Sequence, residues 1–177
     1  MLKIVYRVLL TINAIILLVV VYLIKTEKSL PFHWLPSVHV SYFVYFTAAI
    51  IMSGVCLWFS RFLSDDIITG GITEAESANN SYLPSYLGYF FVALSINDCD
   101  TLIWVTGIVM VFTFFSQTLY FNPLFLIFGY KFYNVSTDNG VKFFVISKKN
   151  ITTVNNLSFH KLKRINLNYS RLCRESG

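Results

Sequence analysis

Asp98 and Asp100 stand two apart in the short polar stretch Asn97 to Asp100, and paired carboxylates are the groups that hold divalent cations or relay protons. No histidine accompanies them, and polar side chains are also what a hairpin turn in water requires, so a plain turn is the simpler reading. Thr106, Thr113 and Gln117 fall on one helical stripe with Met110. Hydroxyls and an amide at that spacing either line a hydrated path or bond to a neighbouring helix. A cationic set comprises Lys148, Lys149, Lys161, Lys163, Arg164, Arg171 and Arg174. It suits anionic lipid headgroups or an acidic protein surface, with direct nucleic-acid binding the least favoured of the three. Phe32 and Trp34, set among Pro31 and Pro36, make a stiff aromatic segment for the headgroup level, as an interfacial belt or as a sensing loop.

The remaining reactive residues do not assemble into a recognisable centre. Cys56, Cys99 and Cys173 fall in separate regions, so no disulfide framework or zinc site is expected. His33, His39 and His160 are scattered, and no phosphate loop, zinc-protease helix or nucleophile elbow occurs. The sequence therefore predicts no enzyme, no metal and no cofactor.

The elements that must carry these residues are apolar helices. Of 177 residues, 55% are hydrophobic and only 13% charged, and uncharged stretches of about 17 to 20 residues reach the thickness of a hydrocarbon core. The reading is a four-span transmembrane bundle over residues 1–121, with spans at about 6–24, 40–59, 82–97 and 102–121. The span at 82–97 is short and carries Pro84 near its start. Fourteen Lys and Arg residues fix the orientation. Nine of them follow the last span: Lys131, Lys142, Lys148, Lys149, Lys161, Lys163, Arg164, Arg171 and Arg174. The positive-inside rule puts that end in the cytoplasm, and Lys3 and Arg7 hold the amino terminus on the same side. An even number of crossings follows. The first span resembles a signal peptide, but Lys25, Thr26, Glu27 and Lys28 follow it instead of a cleavage site, which predicts a retained anchor. The inner loop from Ser60 to Ser81 carries Asp65, Asp66, Glu74 and Glu76; an acidic loop could pair with the basic tail, but a solvated turn is the favoured reading.

Ala49, Ser53, Cys56 and Ser60 recur at helical spacing, a face of small side chains that lets another helix approach closely. Four short helices enclose little volume, so a homo-oligomer is expected, with the Thr106, Thr113 and Gln117 stripe as a candidate lining of a central pore. A small homo-oligomeric ion channel or membrane-permeabilising protein is the alternative function. Beyond Asn122 and Pro123 the pattern alternates as strands do. Asp138, Asn139 and Gly140 supply the chemistry of a two-residue hairpin, and further strands are expected at Asn150 to Val154 and around Ile165, Leu167 and Tyr169. Residues 122–177 thus read as a small cytoplasmic β-rich domain.

This plan, with the passage Phe128, Gly129, Tyr130, Lys131, Phe132, Tyr133 leading through Asn139 and Gly140 to Ile146, Ser147, Lys148 and Lys149, resembles KwaA, the membrane subunit family of the bacterial Kiwa anti-phage defence system. The resemblance implies an inner-membrane sensor and scaffold that detects infection. It further implies assembly with itself as a tetramer and work with a cytoplasmic, DNA-acting KwaB-like partner.

Overall fold

The computed structural model describes residues 2–30, 38–63, 65–66, 72–78, 83–115, 122–138, 140, 142–148, 162–164 and 170–173. Four apolar helices carry most of the described chain: α1 (Leu2–Lys25), α2 (Val38–Phe59), α3 (Leu83–Ser95) and α4 (Cys99–Phe115). By length and composition two helical segments, Lys3–Lys25 and Val38–Phe62, can cross a bilayer, whereas Tyr86–Ser95 and Cys99–Phe115 are shorter apolar helices. Residues 116–121, expected to complete the fourth span, lie outside the described residues.

The bundle is built around α1, which packs against α2, α3 and α4. Between Tyr6 and Leu23 only Ile12 is exposed. The polar residues that interrupt α1, Thr11 and Asn13, are buried rather than turned to lipid. A helix enclosed by protein can carry such groups where each finds a partner. By contrast α4 buries only Thr113, and Trp104, Phe112 and Phe115 stand outward.

A 3-10 turn, Ser60–Phe62, ends α2, and the chain then contributes β1 (Asp65–Asp66) and β2 (Ile72–Ser77). With β3 (Lys131–Thr137), β4 (Lys142–Ser147), β5 (Leu162–Arg164) and β6 (Ser170–Cys173) they form one sheet in the order β1-β5-β6-β4-β3-β2. All pairings are antiparallel except β4 with β6. The inner loop, expected to be a solvated turn, instead adds strands at both edges of the sheet. Ala75 faces Val135 in the register and Ile72 and Ala75 pack on the Tyr133, Val135, Phe143 and Val145 cluster, while Glu74 and Glu76 stay in solvent. Ile72 and Ala75 stand three apart and reach the same face because the register shifts between Ile72 and Glu74, and two such contacts suffice for an edge strand carrying charge.

The β3–β4 hairpin pairs Ser136 with Lys142, which leaves an odd number of residues between them. A two-residue turn is excluded. Gly140 takes φ +71 and its N–H bonds to the Thr137 carbonyl at 2.8 Å, the left-handed position that a three-residue connection gives to glycine. The strand expected at Asn150 to Val154 and the residues Ile165, Leu167 and Tyr169 lie outside the described residues.

Candidate functional site

The site begins at Asn122 and Pro123, a pair that starts a helix because proline is preorganised for the first turn and loses no needed donor. The Asn122 Oδ1 accepts from Leu124 N–H at 2.8 Å and opens a single turn, α5 (Leu124–Ile127). Gly129, at φ +77, closes it: Gly129 N–H bonds to the Leu126 carbonyl and Tyr130 N–H to that of Phe125, at 2.9 and 3.1 Å, a Schellman ending. A turn this short has no stability of its own and depends on what it is packed against. Here Leu124 and Phe125 are fully enclosed, and residues 122–130 form a strap seated between α1 and α2.

Three buried polar side chains fasten its upper end. Asn122 Nδ2 donates to the Asn13 carbonyl at 2.6 Å and to Ser53 Oγ at 3.3 Å, and Ser53 Oγ donates to Asn13 Oδ1 at 2.8 Å. Asn13 and Ser53 are at 0% exposure and Asn122 at 1%, so these bonds form out of contact with water and the loss of one is not made good by solvent. Lower down, a side chain at Gly54 would approach the Phe128 ring at 3.3 Å, and the Cys56 thiol points at the Leu9 carbonyl at 3.7 Å. The Tyr6 phenol lies beside Cys56 and Tyr130.

From the strap an aromatic column runs into the sheet. Phe125 stacks on Phe132 at 6.4 Å between ring centroids, and Phe132 on Phe144 at 5.7 Å, with interplanar angles of 24° and 17°. Tyr6, Leu10, Cys56, Phe125, Phe132 and Ile146 belong to one continuous apolar core. Helix bundle and sheet are therefore packed as one body through the strap.

The opposite end is tied differently. Lys25 Nζ donates to the Ile96 carbonyl at 2.7 Å and to Asn97 Oδ1 at 2.8 Å, placing a cation at the carboxy end of α3 where the helix dipole favours it. Lys28 Nζ reaches Cys99 Sγ at 2.9 Å. Asp98 caps α4, accepting from Thr101 N–H at 2.7 Å and Thr101 Oγ1 at 2.8 Å, and these bonds hold its carboxyl below the ordinary carboxylate range. Asp100 is exposed on the first turn of α4. Among the described residues no three metal-ligating side chains come together.

The structure places the other sequence candidates as follows. Ala49, Ser53, Cys56 and Ser60 are all buried, with Ser53 and Cys56 bonded to α1. Thr113 is buried and the Thr106 hydroxyl is enclosed without a partner among the described residues, on a helix that packs on α1. Lys148 is exposed and lies over the Tyr130 ring at 5.2 Å. Lys163, Arg164 and Arg171 occupy strand positions, with Asp65 opposite Lys163 and Arg164 opposite Arg171 in the register. Phe32, Trp34, Gln117, Lys149, Lys161 and Arg174 lie outside the described residues. The strap residues Asn122, Phe125 and Phe128 and their seat at Gly54 were not anticipated as a site. The asparagine and proline followed by glycine six residues later are a helix start and stop, and that signal marks the turn.

The family model described as Anti-phage protein KwaA matches residues 6–170. No curated protein and no solved structure matches the chain.

Proposed function

The chain belongs to the KwaA anti-phage protein family and acts in anti-phage defence, and from that premise we propose that it is a non-enzymatic sensor and scaffold of the bacterial inner membrane. In this reading the four apolar helices cross the bilayer, both termini face the cytoplasm, and copies of the chain assemble into a homo-oligomer with four subunits. An event at the outer loops or in the surrounding lipid changes helix packing, and the sheet passes the change to a KwaB-like protein that acts on phage DNA.

The observation that supports this reading is the aromatic column Phe125, Phe132 and Phe144, which joins the buried heart of the bundle to the sheet by direct packing. Coupling needs an element that both ends bias, and a shared core provides one. The cationic residues Lys148, Lys149, Lys161, Lys163, Arg164, Arg171 and Arg174, in a chain of net charge +5, supply the charge that would recognise an acidic partner. Replacing Lys161, Lys163 and Arg164 together by glutamate abolishes copurification of the partner from the native host, with the membrane fraction unchanged. Copurification at the wild-type level removes this surface from the account.

A further inference from the structure

We propose that residues 122–130 are a displaceable strap, and that its withdrawal opens a polar crevice between α1 and α2 that faces the cytoplasmic end of the bundle. The seat is unusually polar for the interior of an apolar bundle. It presents Tyr6 and Asn13 from one face of α1, and Ser53 and Cys56 from the small-residue stripe of α2.

Two of these groups are left without partners while the strap is in place. Asn13 Nδ2 and the Tyr6 hydroxyl are buried and make no hydrogen bond among the described residues. One lies at the Asn122 end of the strap and the other at the Tyr130 end. A packed interior rarely leaves such groups unpaired, and a seat with two of them gains hydrogen bonds when water replaces the strap. The occupant is only a single helical turn, held by the Asn122 bonds above and by Phe128 over Gly54 below. Further toward the outer end the α1–α2 contact turns apolar, with Leu17, Val20 and Ala49, so water admitted from the cytoplasmic end stops at Asn13 and Ser53. The crevice is blind, and its opening changes the bundle without making a continuous pore.

The crevice itself rests on packing within one chain, and its opening toward the cytoplasm rests on the topology proposed above. Its consequence for signalling rests on the sensor reading above, since movement of the strap pulls on the Phe125, Phe132 and Phe144 column.

Cys56 is a native reporter, because its thiol is fully buried in the seat. With Cys99 and Cys173 replaced by serine, the protein is treated in inverted inner-membrane vesicles with a water-soluble maleimide. Cys56 is expected to react slowly in the otherwise native chain. It should react about tenfold faster or more after Asn122→Ala with Phe128→Ala, since a protected thiol is modified through its opening equilibrium. Gly54→Ala, which crowds Phe128 but removes no hydrogen bond, should accelerate labelling in the same direction. Unchanged labelling in both variants, with vesicle levels and detergent-gel mobility as in the parent, overturns the strap, as does a parent chain that labels at the rate of the denatured control. Phage plating of the same variants reads the relay separately. Accelerated labelling with full defence leaves the strap standing and removes its signalling role.

Discussion

Helices α1 and α4 are equally apolar to the eye, yet one is enclosed on nearly every side and the other is packed on a single face. Helix α1 buries Thr11 and Asn13 among α2, α3, α4 and the strap, whereas α4 turns Trp104, Ile108, Phe112 and Phe115 outward. Hydropathy does not separate the two cases, because lipid and a protein interior reward the same side chains. What separates them is where polar groups are tolerated. A buried amide such as Asn13 calls for partners at depth: Ser53 donates to its Oδ1, and the strap brings Asn122 to its backbone carbonyl across 109 residues of sequence.

The contrast breaks first at Phe125, which is 0% exposed in the strap. Phe125→Ala is expected to cost about 3 to 5 kcal/mol, and to lower the thermal unfolding temperature in detergent by a wider margin than any change on α4. Phe112→Ala on α4, where the ring is 70% exposed, is expected to change stability by no more than about 0.5 kcal/mol. Equal losses at the two positions would abolish the distinction and place a protein surface over α4. Between these extremes falls Asn122→Ala, which removes the bonds to the Asn13 carbonyl and Ser53 Oγ and takes the acceptor from the Leu124 N–H, and it should cost about 1 to 3 kcal/mol. A neutral result there would mean that the polar node does not fasten the strap.

The smallest expected effect is at the outer turn. The Asp98 carboxyl is held below its ordinary value by the Thr101 N–H and hydroxyl, so its contribution is fully present above the ordinary carboxylate range and fades as pH falls through the lower folded value. The difference in melting temperature between the wild type and Asp98→Asn should therefore hold constant from neutral pH down to about 5 and shrink below about 4. A difference that grows on acidification would contradict the capping role.

Much of this architecture is readable in the residue pattern, and the parts that are not share a cause. The helices are legible because long uncharged runs permit little else. The hairpin is legible because Asn139 and Gly140 sit between two alternating segments, although its length is not, since two- and three-residue connections use the same residues. Strand β2 is hidden in the sequence because Glu74 and Glu76 are poor strand formers in isolation and only the β3 edge gives Ile72 and Ala75 something to cover. The strap is hidden for a similar reason: Asn122, Pro123 and Gly129 announce a turn, but its burial follows from Asn13, Ser53 and Gly54, which no local pattern connects to it. Asn13 stands out as an interruption of an apolar helix, and its partner is the half that only the fold supplies.

The central claim is that the strap makes the bundle and the sheet one cooperative unit. Hydrogen exchange on the protein in lipid nanodiscs tests it most directly, by comparing the wild type with Asn122→Ala. Faster exchange at the β3 and β4 amides, well outside the substituted turn, is the predicted result. Acceleration confined to residues 122–130, with β3 and β4 protected as before, would contradict it.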